Sequence, residues 1–280
     1  MEILKTAILG AVQGLTEFLP VSSSGHLALF QYLFKMKDPM LAFDIAVHWA
    51  TLLAVLIYFR RDIAGLTGHT FSFLMGLVKG QRPGDLLNRF PGARVAGLII
   101  ITSVPTGLMG IFLEDKIESL FQALFFLGLF WFIMGFVLTL SSRLTASAVR
   151  SLDALNFRDA FLIGVAQGIA ILPGVSRSGL TICAALWFGI EKKAAARYSF
   201  LAGIPAILGA GLLKLKDGMD FFQDKPLELA TGFFVAFVIG YAAIAFFLNF
   251  IQRDKLHWFG YYNWIMSAVV VVILFLEKLV

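Results

Sequence analysis

Six stretches of this chain stay apolar over the roughly 20 residues that a helix needs to cross a bilayer. They lie at about 41–60, 91–113, 119–141, 195–214, 227–250 and 260–279, and the pattern predicts six transmembrane helices. Two further regions are apolar but short and interrupted. Residues 1–36 break at Pro20-Val21-Ser22-Ser23-Ser24-Gly25, and residues 159–190 break at Pro173-Gly174-Val175-Ser176-Arg177-Ser178-Gly179. Each reads as helix, Gly/Pro/Ser break, helix. Broken backbone at membrane depth persists only where protein or a wet cavity satisfies it. Both regions are therefore expected to be re-entrant helical hairpins. The expected fold class is an all-α polytopic membrane protein, one integral membrane domain over residues 1–280.

Composition agrees with the pattern. The chain is 59% hydrophobic and 15% charged, against about 25% charged in soluble domains. Its 29 phenylalanines suit lipid-facing helices. A single cysteine, Cys183, excludes an internal disulfide and a CxxC metal or redox site. Glu17 and Gln13 interrupt the first apolar run and no small-residue cleavage site follows, so residues 1–18 are read as mature protein rather than a signal peptide.

Charge then orients the helices. Loops 60–94, 142–158, 191–193 and 252–257 hold thirteen Lys/Arg against six acids, Asp159 at the edge included. The termini and the loops near 35–38, 114–118 and 214–228 hold eight Lys/Arg and ten acids. By the positive-inside rule the first set is cytoplasmic and both termini are outside. The first hairpin then opens outward and the second inward. The formal charge of +5 needs no nucleic acid to explain it. Glu17, Asp44, Arg177 and Arg197 remain inside the apolar segments. An embedded charge costs at least about 2.5–3.5 kcal/mol at a helix centre, so two acids and two bases suggest mutual pairing.

The hairpins are related. At an offset of 154, Gly10, Gln13, Gly14, Val21, Ser22, Ser24 and Gly25 match Gly164, Gln167, Gly168, Val175, Ser176, Ser178 and Gly179, seven identities in sixteen positions. Opposite orientations make this an inverted repeat, one half about 1–141 and the other about 159–279. Such repeats place a site near the midplane, where the breaks meet. The repeat is asymmetric: Glu17, Ser23 and His26 correspond to Ile171, Arg177 and Leu180. One hairpin supplies an acid, a hydroxyl and an imidazole; the other supplies a fixed cation.

That asymmetry defines the candidate chemistry. Arg177 stands just before a helix start, where a guanidinium and free N–H groups make an anion site. Ser22, Ser23 and Ser24 open the matching helix, so two helix starts facing one another could hold a diphosphate. Ser23 lies about one turn before His26, with Glu17 on the other arm. The set allows a serine nucleophile with a base and an orienting carboxylate, or an activated water; the residues do not choose. Single serines serve equally well as packing residues. Gln13 and Gln167 are expected to hydrogen-bond across the hairpins. His48, His69 and His257 lack such neighbours and read as structural or interfacial.

Gln13-Gly14-Leu15-Thr16-Glu17-Phe18-Leu19-Pro20-Val21-Ser22-Ser23-Ser24-Gly25-His26 resembles the first signature of the bacitracin-resistance undecaprenyl-diphosphate phosphatases. Pro173-Gly174-Val175-Ser176-Arg177-Ser178-Gly179-Leu180-Thr181 resembles their second, and the similarity extends over nearly the whole chain. The resemblance implies removal of the terminal phosphate from undecaprenyl diphosphate. That would recycle the lipid carrier for peptidoglycan and confer bacitracin tolerance. It also implies a bacterial cell (inner) membrane location, and the outward opening of the first hairpin suggests access from the extracytoplasmic side. It implies a catalytic set of Glu17, Ser23, His26 and Arg177, with Gln13, Ser22, Ser24, Ser176, Ser178 and Thr181 binding substrate. The implied cofactor is a divalent cation, magnesium with calcium as the alternative, for which Glu17 is the candidate ligand. Where the family often has Glu, this chain has Gln13, which argues against an essential acid or metal ligand there. A homodimer stays open, with no interface to argue. The rivals are a lipid flippase or transporter on the same inverted repeat, and a purely structural membrane component. A different lipid phosphatase superfamily fits poorly, because Ser176-Arg177 lacks its downstream His and Asp.

Overall fold

The computed structural model describes residues 2–36, 41–121, 123–144, 148–214 and 225–277. Twelve α-helices form among them: α1 (Glu2–Thr16), α2 (Ser23–Leu33), α3 (Leu41–Tyr58), α4 (Arg60–Val78), α5 (Pro83–Arg89), α6 (Pro91–Phe121), α7 (Leu124–Leu144), α8 (Phe157–Ile169), α9 (Arg177–Trp187), α10 (Lys192–Lys214), α11 (Pro226–Phe250) and α12 (His257–Glu277). The only β-pairing among the described residues is a single bridge between Arg150 and Ile190.

Among the described residues, six helices are long and apolar enough to cross a membrane: Leu41–Tyr58, Pro91–Leu113, Leu124–Arg143, Lys192–Lys214, Pro226–Arg253 and His257–Glu277. These are the six expected, the third starting a few residues later than its apolar run. The protein is thus a multi-pass membrane protein. The loops expected near 35–38 and 214–228 fall largely outside the described residues.

Two expected loops are helical: 114–118 lies within α6, and 60–94 is mostly helix. Residues 60–94 contain α4 and α5, because apolar and polar positions alternate there too evenly to read as a span. α4 packs on α6, and His69 Nδ1 accepts from Gly92 N–H at 3.0 Å. Leu86 of α5 is buried against Gly76, where a Cβ would come within 2.4 Å of its methyl.

The two breaks expected from Pro, Gly and Ser are present as α1–turn–α2 and α8–turn–α9. Each second helix starts on a serine cap, Ser22 Oγ accepting from Gly25 N–H at 3.3 Å and Ser176 Oγ from Gly179 N–H at 3.1 Å. Ser22 has φ +67°, a strained value for a residue with a side chain, and Gly174 takes φ +86° in the second break. Three carbonyls of the first break are met by side chains from other helices. Leu19 O accepts from Ser178 Oγ at 3.2 Å, Pro20 O from Asn263 Nδ2 at 3.0 Å and Val21 O from Trp131 Nε1 at 3.0 Å. α7, α9 and α12 thus supply the donors that an interrupted helix inside an apolar body requires.

Packing brings both breaks to the interior. α1 lies along α11, and α8 along α6. Glycines set these distances: a Cβ at Gly10 would sit 2.4 Å from Gly232 O, and one at Gly164 would sit 2.3 Å from Thr102 O. Small residues four apart let such backbones approach closely. α9 is enclosed almost all round, from Ser178 to Leu186, and its start faces the first break.

Candidate active site

Glu17 follows the last turn of α1 and is buried. Three side chains converge on its carboxylate. Arg177 Nη2 donates to Oε1 at 2.6 Å, Ser23 Oγ donates to Oε2 at 2.6 Å, and Gln13 Nε2 donates to Oε2 at 3.0 Å. The Gln13 contact is the i, i+4 spacing of a helix face carried one residue past α1. The Arg177 contact joins residues 160 positions apart and ties the two breaks together.

Two of the four embedded charges therefore neutralise one another, as their signs suggested. The other two take different partners. Arg197 pairs with Asp62 at the start of α4, and Asp44 Oδ1 accepts from Gln31 Nε2 at 2.7 Å.

Arg177 is held from its other side as well. Its Nη1 donates to Ser199 O of α10 at 3.3 Å. Gly203, one turn on, leaves the space: a Cβ there would lie 2.2 Å from Nη1. Thr181 is buried and bonds Ser199 Oγ at 2.5 Å and Arg177 O at 2.8 Å, so it steadies the first turn of α9. Ser176 and Ser178 are buried 3.2 Å apart and both reach Leu19 O. Ser22 and Ser24 stand 3.4 Å apart at the start of α2.

The structure brings Ser23 to Glu17 and turns His26 elsewhere. His26 Nδ1 lies 2.7 Å from Ser22 O, and Nε2 lies 2.7 Å from the hydroxyl of Tyr262 on α12. Gln13 and Gln167 do not bridge the hairpins as expected. Gln13 stays on Glu17, while Gln167 Nε2 donates to Thr106 Oγ1 at 3.1 Å. Each hairpin packs its first arm on a different long helix, which keeps the two amides apart.

A family model described as "Bacitracin resistance protein BacA" matches residues 6–269. This chain belongs to the BacA family. A protein of Carboxydothermus hydrogenoformans named undecaprenyl-diphosphatase is 42% identical, over 98% of each chain. Relatives of the same name from Methanosphaera stadtmanae and Thermomicrobium roseum are 39% and 41% identical, again over 98% of each chain. Both signature segments lie within the matched range.

The family's segments do not contain every group at the carboxylate. His48 Nε2, on α3, stands 3.8 Å from Glu17 Oε2, and its Nδ1 lies 2.7 Å from Asp44 O one turn back. The sequence left His48 aside because its neighbours along the chain are apolar. Its acidic partner arrives from another helix. Tyr262, Asn263 and Ser199 were missed for the same reason. The one available signal was polar residues recurring inside otherwise apolar spans.

A divalent cation can be tested against these donors. No group of three His, Cys, Asp or Glu that could hold a metal occurs among the described residues. Gln13 Oε1, however, is buried without a hydrogen-bond partner, beside the Glu17 carboxylate. Magnesium is commonly bound by one or two protein oxygens together with substrate phosphates and water. A carboxylate and an unmet amide oxygen fit that pattern.

Proposed function

We propose that this protein hydrolyses undecaprenyl diphosphate to undecaprenyl phosphate and inorganic phosphate, recycling the carrier lipid for peptidoglycan synthesis and conferring bacitracin resistance. The observation that carries this reading is the Arg177–Glu17–Ser23 chain at the meeting of the two breaks. It sets an anion-binding guanidinium and an activated hydroxyl side by side in a chain whose relatives bear that activity's name.

Arg177 spends two contacts on Glu17 and Ser199. Its remaining N–H groups are free to take the terminal phosphate in the planar fork that suits phosphate oxygens. Gly25 and Gly179 N–H are taken by the serine caps; the N–H groups ahead of them at the starts of α2 and α9 add to the same anion site. Ser23 Oγ attacks the terminal phosphorus, the anhydride P–O bond breaks, and its electron pair leaves with undecaprenyl phosphate. The serine proton passes to Glu17 Oε2, which it already faces at 2.6 Å. Water then attacks the phosphoserine, losing a proton toward His26 while Glu17 returns its proton to Oγ, and inorganic phosphate leaves. Arg177 balances the charge that develops on the phosphoryl oxygens. Glu17 would hold a divalent cation, magnesium or calcium, with Gln13 Oε1 as a neutral, non-essential oxygen beside it; the ion would add positive charge at the diphosphate. Ser22, Ser24, Ser176 and Ser178 shape the two helix starts, and Thr181 braces Arg177.

The finer architecture belongs to this proposal. We read the two broken regions as re-entrant hairpins and the halves as an inverted repeat. The exchange of partners supports it: α1 packs on α11 as α8 packs on α6, and α3 on α11 as α10 on α6. The serine caps and the close glycines Gly10 and Gly164 match at the same offset. The excess of Lys/Arg on the opposite face supports an extracytoplasmic opening for the first hairpin in the cell membrane.

The test is phosphate release from undecaprenyl diphosphate by purified protein in detergent, with magnesium or calcium supplied. Wild type should release phosphate; Arg177→Ala, Glu17→Gln and Ser23→Ala should lose nearly all of it while remaining monodisperse. No release by wild type across a range of divalent ions would overturn the hydrolase. It would move a lipid transporter on the same repeat to first place. Retained activity in Ser23→Ala alone would replace the serine nucleophile with water.

A further inference from the structure

We propose that Tyr262 is a positioning residue for His26, fixing its tautomer and serving as its proton partner; this rests on reading His26 as a proton carrier of the site. A carbonyl oxygen only accepts. With Nδ1 at 2.7 Å from Ser22 O, that nitrogen carries the hydrogen. Nε2 then presents its lone pair, and the hydroxyl at 2.7 Å donates to it.

Two aromatic rings flank the imidazole as well. The Tyr262 ring is stacked on it with centroids 5.6 Å apart at 17°, and Trp131 meets it edge-on at 5.0 Å. Trp131 is itself anchored on Val21 O. The ring has no rotational freedom without breaking one of these contacts.

The requirement is for tyrosine rather than phenylalanine. Phenylalanine would keep the stack but leave Nε2 buried without a donor. A hydroxyl also serves both states of its partner. It donates to neutral His26, and by rotating it accepts from the imidazolium. The hydroxyl hydrogen passes to Nε2 as the phenol oxygen takes one from the site, and the reverse returns it, so Tyr262 stays neutral while His26 gains or loses a proton. Exposure gives the pair a direction: His26 is 3% exposed and Tyr262 37%, so the phenol is the outer end. The next residue, Asn263, donates to Pro20 O at 3.0 Å. Two consecutive residues of α12 thus hold one the break and the other its histidine.

The experiment combines kinetics with the nitrogen-15 spectrum of the His26 ring, its signals assigned by their loss in His26→Asn. Loss of one hydrogen bond of ordinary strength to a reacting group predicts about a tenfold fall in kcat for Tyr262→Phe. KM should stay within about twofold, and the Nε2 resonance should move. Wild-type kcat in Tyr262→Phe overturns the proposal. So does a lowered kcat with an unmoved Nε2 resonance, which would mark a packing role. His26→Asn separates the two readings. Full activity there removes His26 from the mechanism and leaves Tyr262 with nothing to position. Loss of activity there, with Tyr262→Phe at wild-type level, sinks Tyr262 alone.

Discussion

Arg177 reaches the carboxylate of one hairpin and the backbone of α10 with the same planar group, and nothing shorter or narrower does both. Arg177→Lys is therefore expected to lower kcat/KM by about a hundredfold, the loss typical of one donor at a developing charge; phosphate release measures it. Gly203→Ala is the complementary change. The new methyl would displace Nη1, so activity should fall about tenfold or more while expression and monodispersity persist. The Glu17–Arg177 pair was legible in the sequence because both charges are embedded and opposite in sign, and each sits in a break. The orientation of His26 was not. An i, i+3 spacing from Ser23 places it on a helix face, but Ser22 O and Tyr262 decide where its ring turns. His48 and Tyr262 stayed invisible because residues from separate helices meet only once the chain is packed.

At the scale of elements, the first break is held by donors lent from other helices. Asn263→Leu removes the donor to Pro20 O and leaves a buried carbonyl unmet, a cost of about 1–3 kcal/mol. Its thermal midpoint in detergent should fall by several degrees, with phosphate release reduced in step because the same break carries Glu17. The six long helices were readable from run length alone, since lipid imposes one period of some 20 apolar residues on each. α4 was not, because a helix lying on the body of the protein needs only a stripe of apolar contact. Its charged start, Arg60-Arg61-Asp62, reads as loop until Arg197 is seen to pair with Asp62.

For the whole molecule, the distribution of charge makes a prediction about sidedness. Cys183 is buried, so wild type should resist thiol reagents and single cysteines can be introduced against that background. Leu227 is 61% exposed at the start of α11, and Arg82 is exposed before α5. A membrane-impermeant maleimide should label Leu227→Cys in intact cells and Arg82→Cys only after permeabilisation. The reverse would invert the topology, and with it the face from which the diphosphate enters.

The partnership of α1 with α11 also bears on how the protein is made. α1 leaves the ribosome well ahead of its packing partner, which begins at Pro226. At about 5–20 residues per second, translation reaches that partner only after roughly 10–45 s. For the first part of that interval Glu17 has no Arg177 to pair with, and throughout it the close-packing glycines of α1 have no backbone to meet. A ribosome stalled before α11 leaves behind a chain that carries Glu17, Ser23 and Arg177 but lacks the helix against which α1 packs.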